Sequence, residues 1–164
     1  MGETVIDRAT AERLLAAARE ATERAYAPYS QFPVGAAALT ADGTVVPGCN
    51  VENASYGLTV CAERVAVWSA VAAGHRAIVA VAVTAPTAGA VTPCGACRQV
   101  LNELKPSDRD LIVVLDAADG PELVPLGDLL PRAFGPRNLG QVYDDRKRRG
   151  AEAPRSAANG ARAW

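Results

Sequence analysis

The chain has 164 residues, of which 49% are hydrophobic and 21% charged, with a formal net charge of −1 at pH 7. This length suits one domain with a substantial core, and the small net charge argues against a general nucleic-acid or membrane-surface binder. No apolar run approaches the roughly 20 residues that span a bilayer, and the charged first fifteen residues show no secretory signal. We therefore expect a cytoplasmic protein.

The first third of the chain predicts a helix followed by a hairpin. Apolar residues recur at helical spacing from Thr10 to Tyr26, and Asp7 or Thr10 would cap the start of that helix. Small residues at positions 34–40 then predict a strand that helices cover closely. The pair Asp42 and Gly43 predicts the turn to a returning strand that ends near position 50.

The second half alternates helices and strands. Its predicted elements are a helix, a strand, a helix and a strand, at positions 61–73, 78–83, 94–104 and 110–115. In the first of these helices, Val65, Trp68 and Ala72 form an apolar stripe that we expect to face the core. Alternating strands and helices with short connections predict an α/β fold.

Three cysteines at two predicted helix starts suggest a metal site. Cys94 and Cys97 are separated by two residues, so both sulfurs fall on one helix face, and Cys61 opens the other helix. Three protein ligands leave the fourth tetrahedral position of zinc for water, which distinguishes a catalytic site from a structural one. Glu63, two residues after Cys61, is the candidate proton carrier.

The four cysteines also allow two other interpretations. They could form two disulfides, although nothing else in the sequence suggests secretion, and clustered cytosolic cysteines more often bind metal. Cys49 could instead be a fourth ligand, which would close the zinc site and make it inert. We favour a buried structural thiol for Cys49.

The paired motifs C-x-E at Cys61 and P-C-x-x-C at Pro93 match the zinc deaminase signature in its three-cysteine form. Together with the segment Gly48–Ala54, they give a chain that resembles the small cytidine deaminases of nucleoside salvage from about residue 25 to 135. The resemblance implies a three-layer α-β-α domain with a mixed five-stranded sheet, spanning residues 1–140. It also implies one Zn²⁺ per subunit and a homotetramer whose active sites are shared between neighbours.

The resemblance assigns roles to further residues. Phe32 would pack against the substrate pyrimidine, and Asn50 and Glu52 would hold the ribose 3′-hydroxyl. Arg64 would hydrogen-bond the ligand sulfurs. Other residues expected around the substrate are Asn53, Tyr56, Ala62 and Phe134, with Tyr56 and Phe134 reaching a neighbouring subunit's site. From the residues alone, Phe32 and Phe134 also suit a core, and residues 50–53 suit a turn. Arg98 has a weaker claim than Arg64 to the same contact with the sulfurs, and a salt bridge on the helix surface is its default interpretation.

The activity implied is hydrolysis of cytidine and 2′-deoxycytidine to uridine and 2′-deoxyuridine with release of ammonia, in pyrimidine salvage. One rival is deamination of a cytosine nucleoside antibiotic of the blasticidin S type, which lacks the ordinary ribose that Asn50 and Glu52 would hold. A nucleic-acid-editing deaminase would need a basic groove. A zinc-stabilised binding module would leave Glu63 without a role.

Composition changes near residue 141. Residues 141–164 hold six basic and three acidic residues and few groups to bury, so we expect a disordered tail. The basic run from Arg146 to Arg149 suggests contact with RNA or another polyanion, but a solvated tail is the favoured interpretation.

Overall fold

The structure is a computed structural model that describes residues 6–87 and 89–139. The predicted tail at 141–164 lies outside them. The strands are β1 (Gly35–Thr40), β2 (Val45–Cys49), β3 (Ile78–Thr84), β4 (Ile112–Ala117) and β5 (Gly120–Pro125). The α-helices are α1 (Arg8–Thr22), α2 (Ala62–Ala72), α3 (Gly95–Leu104) and α4 (Leu126–Leu129). Short 3₁₀ turns lie at Tyr56–Leu58 and Pro136–Leu139.

Within the described residues, the strands form one five-stranded sheet in the order β2-β1-β3-β4-β5. The pair β3/β4 is parallel, and the other neighbouring pairs are antiparallel. Side chains alternate across β1: Ala37 and Leu39 pack with α1, whereas Ala36 and Ala38 pack with α2 and α3. The predicted three-layer α-β-α fold with a mixed five-stranded sheet is therefore confirmed.

Strand direction brings two helix starts to one edge of the sheet. Because β2 and β3 are both antiparallel to β1, they run the same way, and β4 is parallel to β3. The chain leaves the carboxyl end of β2 towards α2 and the carboxyl end of β3 towards α3. In open α/β sheets, ligands bind in the crevice outside such carboxyl ends. Cys61 and Cys94, which precede these two helices, are thus brought together.

The helices lie unusually close to the sheet at two glycines. A Cβ atom built on Gly48 would lie 2.4 Å from the backbone nitrogen of Ala66 and 2.7 Å from the carbonyl oxygen of Ala62. A Cβ atom on Gly35 would lie 1.9 Å from the carbonyl oxygen of Ala18. The alanine-rich sequence follows from this, since only small side chains fit between the layers.

The predicted apolar stripe of α2 is wrong. The buried face of α2 carries Ala62, Glu63, Ala66, Val67 and Ala70, whereas Trp68 is 46% exposed and Ala72 is exposed. The close approach at Gly48 explains the difference. Small residues must face the sheet, and the largest side chain of the helix is left on the outside.

Two boundaries also differ from the prediction. Helix α1 is capped by Asp7 as predicted but ends at Thr22, because the amide of Tyr26 donates to the carbonyl of Asn50 instead of continuing the helix. Strand β5 was not predicted, since Pro121 and Pro125 flank its core. Proline is tolerated on an edge strand, where its missing N–H faces solvent. None of the described helices is both long and apolar enough to cross a membrane.

Candidate active site

Three cysteine sulfurs converge at the edge where α2 and α3 begin. Cys61 is the N-cap of α2, Cys94 is the N-cap of α3, and Cys97 lies in the first turn of α3. The Sγ atoms of Cys61 and Cys94 are 3.9 Å apart, and those of Cys94 and Cys97 are 3.5 Å apart. All three sulfurs lie within 4.8 Å of one another. We call this group the sulfur cluster.

The sulfur cluster fits a zinc ion. Tetrahedral coordination at Zn–S distances of 2.3 Å places sulfurs about 3.8 Å apart, close to the spacings found. All four cysteines are free, so the disulfide alternative is not supported. Cys49 is half-buried and outside the cluster, and its thiol lies 3.3 Å from the carbonyl oxygen of Arg24. Among the described residues, the structure thus brings together three sulfurs that could hold one metal ion, and Cys49 is not one of them.

Neighbouring donors favour the charged form of Cys61. The pKa of the Cys61 thiol is lowered to about 5, chiefly by the Cys97 thiol and next by Arg64. Arg64 Nη2 lies 3.3 Å from Cys61 Sγ, and the guanidinium stacks 5.8 Å above the ring of Trp68. The hydrogen bond to Cys61 and burial raise the pKa of Cys97. The positive charge of Arg64 therefore offsets part of the negative charge that the sulfurs would carry as metal ligands.

Glu63 is buried beside this cluster. It is the second residue of α2 and is only 4% exposed, which is rare for an isolated carboxyl group. Burial raises the pKa of Glu63, and the negative charge of Cys61 raises it further. A buried carboxyl group with a raised pKa beside a cluster of thiols is a candidate for proton transfer.

Asn50 and Glu52 bind a neighbouring loop. Asn50 is 7% exposed; its Oδ1 accepts from the amide of Val34 and its Nδ2 donates to the carbonyl of Phe32, both at 2.9 Å. The Glu52 carboxylate accepts from the amides of residues 29 and 30, at 2.9 and 3.2 Å, and from the hydroxyl of Ser30. We use the name loop clamp for Asn50 and Glu52 together with residues 29–34, the loop that these two side chains hold.

The loop clamp surrounds a charged acceptor. The hydroxyl of Ser30 is the largest cause of a lowered pKa at Glu52, and the amides of Tyr29 and Ser30 add to it. A pocket of about 220 Å³ lies here, lined by Tyr29, Ser30, Glu52, Tyr56 and Thr59. The rings of Tyr29 and Tyr56 are 5.7 Å apart and tilted by 55°. This pocket therefore presents a carboxylate, hydroxyl groups and two aromatic rings.

A backbone bridge ties the loop clamp to the sulfur cluster. Val51 and Val60 exchange both of their backbone hydrogen bonds, at 2.9 and 3.0 Å. Arg64 Nη2 also lies 3.4 Å from the carbonyl oxygen of Thr59. The segment that carries Asn50 and Glu52 is therefore fixed to the residues just before Cys61.

The other predicted site residues have mixed surroundings. Asn53 Oδ1 accepts a hydrogen bond from the amide of Ser55 at 2.8 Å, a contact within a turn. Ala62 is fully buried. Three aromatic side chains predicted to lie in the site are exposed: Phe32 by 38%, Tyr56 by 73% and Phe134 by 60%. A core position for Phe32 or Phe134 is therefore wrong.

Sequence reasoning missed several contacts. Tyr29 and Ser30 line the pocket but carried no motif that marked them. The side-chain amides of Gln99 and Asn102 both donate to the carbonyl oxygen of Phe134, at 2.9 and 3.1 Å. Such long-range contacts leave no local pattern.

A mixed α/β sheet, three thiols at two helix starts and a buried glutamate define a zinc-dependent deaminase fold and site. Comparison with known proteins agrees. Residues 8–114 match the family described as the cytidine and deoxycytidylate deaminase zinc-binding region, and the chain belongs to that family.

Individual relatives carry the same name. The chain is 48% identical over 129 residues to a cytidine deaminase of Sporosarcina psychrophila, covering 78% of this chain and 93% of that one. A cytidine deaminase structure from Burkholderia pseudomallei is 54% identical with a TM-score of 0.69, covering 75% of this chain and 98% of that one. The cytidine deaminase structure from Mycobacterium tuberculosis is 48% identical with a TM-score of 0.66, with coverages of 76% and 96%.

Proposed function

We propose that this protein catalyses the hydrolytic deamination of cytidine and 2′-deoxycytidine to uridine and 2′-deoxyuridine, with release of ammonia, in cytoplasmic pyrimidine salvage. The observation that carries the proposal is the convergence of three cysteine sulfurs beside the buried Glu63. Relatives at 48–50% identity, named cytidine deaminases, support this substrate class.

Cys61, Cys94 and Cys97 would hold the ion, one per subunit. Zinc, when bound, supplies a Lewis acid that lowers the pKa of a coordinated water towards neutrality. Arg64, which hydrogen-bonds Cys61, would offset part of the charge of three thiolates. The helix starts at Cys61 and Cys94 add their unsatisfied N–H groups to that effect.

Glu63 would carry the proton through the reaction. It takes a proton from the attacking water, whose oxygen forms a bond to C4 of the cytosine ring, and gives a proton to N3. It then takes the remaining proton from the new C4 hydroxyl and delivers it to the amino group at C4, so that the C–N bond breaks, ammonia leaves and the C4 carbonyl of uridine forms. Its burial keeps bulk water from competing for that proton.

The loop clamp would receive the nucleoside. Phe32 would pack against the pyrimidine, and Asn50 and Glu52 would read the 3′-hydroxyl, with Asn53 and Ala62 nearby. The lowered pKa of Glu52 supports this role, because an ionised carboxylate is a strong hydrogen-bond acceptor for a hydroxyl.

We further propose a homotetramer with shared active sites. Exposed aromatic side chains support it, since Tyr56, Trp68 and Phe134 are 73%, 46% and 60% exposed. Tyr56 and Phe134 would then complete a neighbour's site. The catalytic domain would span residues 1–140, with residues 141–164 as a separate tail. An active isolated monomer would contradict this assembly.

The antibiotic-deaminase alternative is less well supported. The relatives named above are cytidine deaminases at close to half identity, and the polar pair Asn50 and Glu52 suits a ribose. A binding module would have no use for a glutamate buried beside an open metal site.

The deciding experiment follows the ultraviolet absorbance of cytidine mixed with zinc-quantified protein. We expect the cytidine band to disappear with stoichiometric ammonia. Glu63→Gln should keep its zinc and lose turnover by about 10²–10⁴-fold. Glu122→Gln, an exposed glutamate on the edge strand, is the matched control and should turn over normally. Zinc-loaded protein that leaves cytidine unchanged would overturn the proposal.

A further inference from the structure

Arg98 directly follows the metal ligand Cys97, yet its side chain is directed to protein groups other than sulfur. Its Nε donates to the carbonyl of Pro93 at 2.7 Å, and Nη1 donates to the carbonyl of Leu129 at 2.8 Å. Nη2 donates to the hydroxyl of Thr92 at 3.2 Å. The predicted surface salt bridge for Arg98 is therefore wrong, because the guanidinium binds neutral acceptors.

These acceptors come from two separate segments. Two of them, on Thr92 and Pro93, belong to the stretch immediately before Cys94. The third is the carbonyl at the C-terminal end of α4, a group that has no partner within its own helix. One planar guanidinium therefore fastens the segment that leads into Cys94 to the C-terminal end of α4.

We infer that Arg98 is a positioning residue for the metal centre. Its hydrogen bonds hold Cys94 Sγ close to the other two sulfurs before zinc binds. Cys94 needs such support more than its partners. It is the exposed member of the sulfur cluster, whereas Cys97 is fully buried and Cys61 receives a hydrogen bond from Arg64. Its backbone position, at the end of a loop, depends on how that loop is held.

The two arginines of the motifs would then divide the work. Arg64 contacts a ligand sulfur, so its removal alters the charge at the metal and hence the chemistry. Arg98 contacts only backbone carbonyls and a hydroxyl, so its removal alters how easily the ligand swings away. The inference concerns zinc retention and not the reaction, so it stands or falls independently of the proposed function.

The test measures zinc release from the full-length holoprotein into a chromogenic chelator, without substrate. Arg98→Lys keeps the charge and the apolar stem but cannot bridge three separated acceptors. We expect zinc release about 10–100-fold faster than in the wild type, as for other groups that orient metal ligands. The kcat of the fully zinc-loaded variant should stay within about twofold, and Arg13→Lys, an exposed arginine on α1, is the control.

Cobalt substitution gives a second readout. The visible bands of Co²⁺ bound to thiolates depend on ligand geometry, so Arg98→Lys should shift or broaden them, whereas Arg13→Lys should not. Zinc release and cobalt spectra equal to those of the wild type would overturn the inference. A variant that keeps its zinc but loses kcat would also overturn it, because Arg98 would then act on the chemistry.

Thr92→Val serves as a second variant that keeps Arg98 and removes only its weakest contact. If Arg98→Lys fails to fold, as judged by circular dichroism, this variant decides the question. Release a few-fold faster than in the wild type supports the inference, and unchanged release overturns it.

Discussion

The sulfur cluster and the loop clamp are built in different ways. The sulfur cluster stands on two helix starts that the sheet brings to one edge, and its spacing follows from regular structure. The loop clamp joins irregular segments through side-chain hydrogen bonds from Asn50 and Glu52. The sulfur positions therefore depend mainly on regular structure, whereas the loop clamp depends on several hydrogen bonds of modest strength. Loss of a cysteine from the sulfur cluster should therefore have an all-or-none effect, whereas damage to the loop clamp should have a graded one.

The largest effect should come from Cys97→Ala. This change removes a buried ligand from the cluster, and we expect zinc content to fall from about one ion per chain to near zero, with loss of turnover. Cys49→Ala is the matched control, since Cys49 lies outside the cluster, and it should retain both. Metal content is measured by mass spectrometry of the purified proteins. Zinc loss in the Cys49 variant would contradict a three-sulfur site.

Arg64→Ala should have the next largest effect. Without the hydrogen bond to Cys61, we expect zinc retention or kcat to fall by about 10–100-fold while circular dichroism shows an intact fold. Zinc content, a chelator assay and steady-state kinetics check this. Metal content and rate equal to those of the wild type would show that charge balance at the sulfurs does not depend on this residue.

Asn50→Ala tests whether damage to the loop clamp has a graded effect. The change leaves the amide of Val34 and the carbonyl of Phe32 without their partner, which should cost about 1–3 kcal/mol of unfolding free energy. We also expect a partial loss of kcat/KM for cytidine with zinc fully retained. Urea denaturation and kinetics measure the two effects. Asn53→Ala, which loses a single turn contact, should change both by less.

The smallest expected effect is the pH dependence of the hydrogen bonds between Glu52 and the loop. Because the pKa of Glu52 is lowered from 4.5 by Ser30 and two amides, its hold on the loop is fully present above pH 4.5. That hold is lost only as the pH falls through the lower folded-state value. The amide chemical shifts of Tyr29 and Ser30 should therefore titrate with a midpoint below 4.5. Glu52→Gln should abolish the titration, and a midpoint at or above the usual value would show that the loop does not hold the charged form.

The same contrast explains what sequence reasoning achieved. Cys94 and Cys97 were predicted as a pair because helix geometry makes their spacing a local property of the chain, and Cys61 was added by its place at a second helix start and by the motif. The three-layer fold followed from family resemblance and from alternating elements, and both agree with the structure. Glu63 was singled out by its place two residues after a ligand, but nothing local indicated that it would be 4% exposed.

Other features depended on contacts between distant segments. Trp68 was expected in the core, because periodicity identifies a helix face but not which layer approaches it so closely that only alanine fits. Only the structure identifies the contacts of Tyr29, Ser30 and Arg98, because their partners lie in loops or at helix ends. Sequence reasoning therefore predicted the three cysteines that the structure brings together and missed much of what holds them in place.

The contact at Gly48 has a consequence for how this enzyme tolerates change. A single methyl group there would meet the backbone of α2, the helix that begins beside Cys61 and carries Glu63. The helix would have to move outward, and displacements near 1 Å at reacting groups are enough to slow catalysis strongly. Gly48 thus sets how closely α2 approaches the sheet, and libraries that vary this position would report on the placement of Glu63 without removing any polar group.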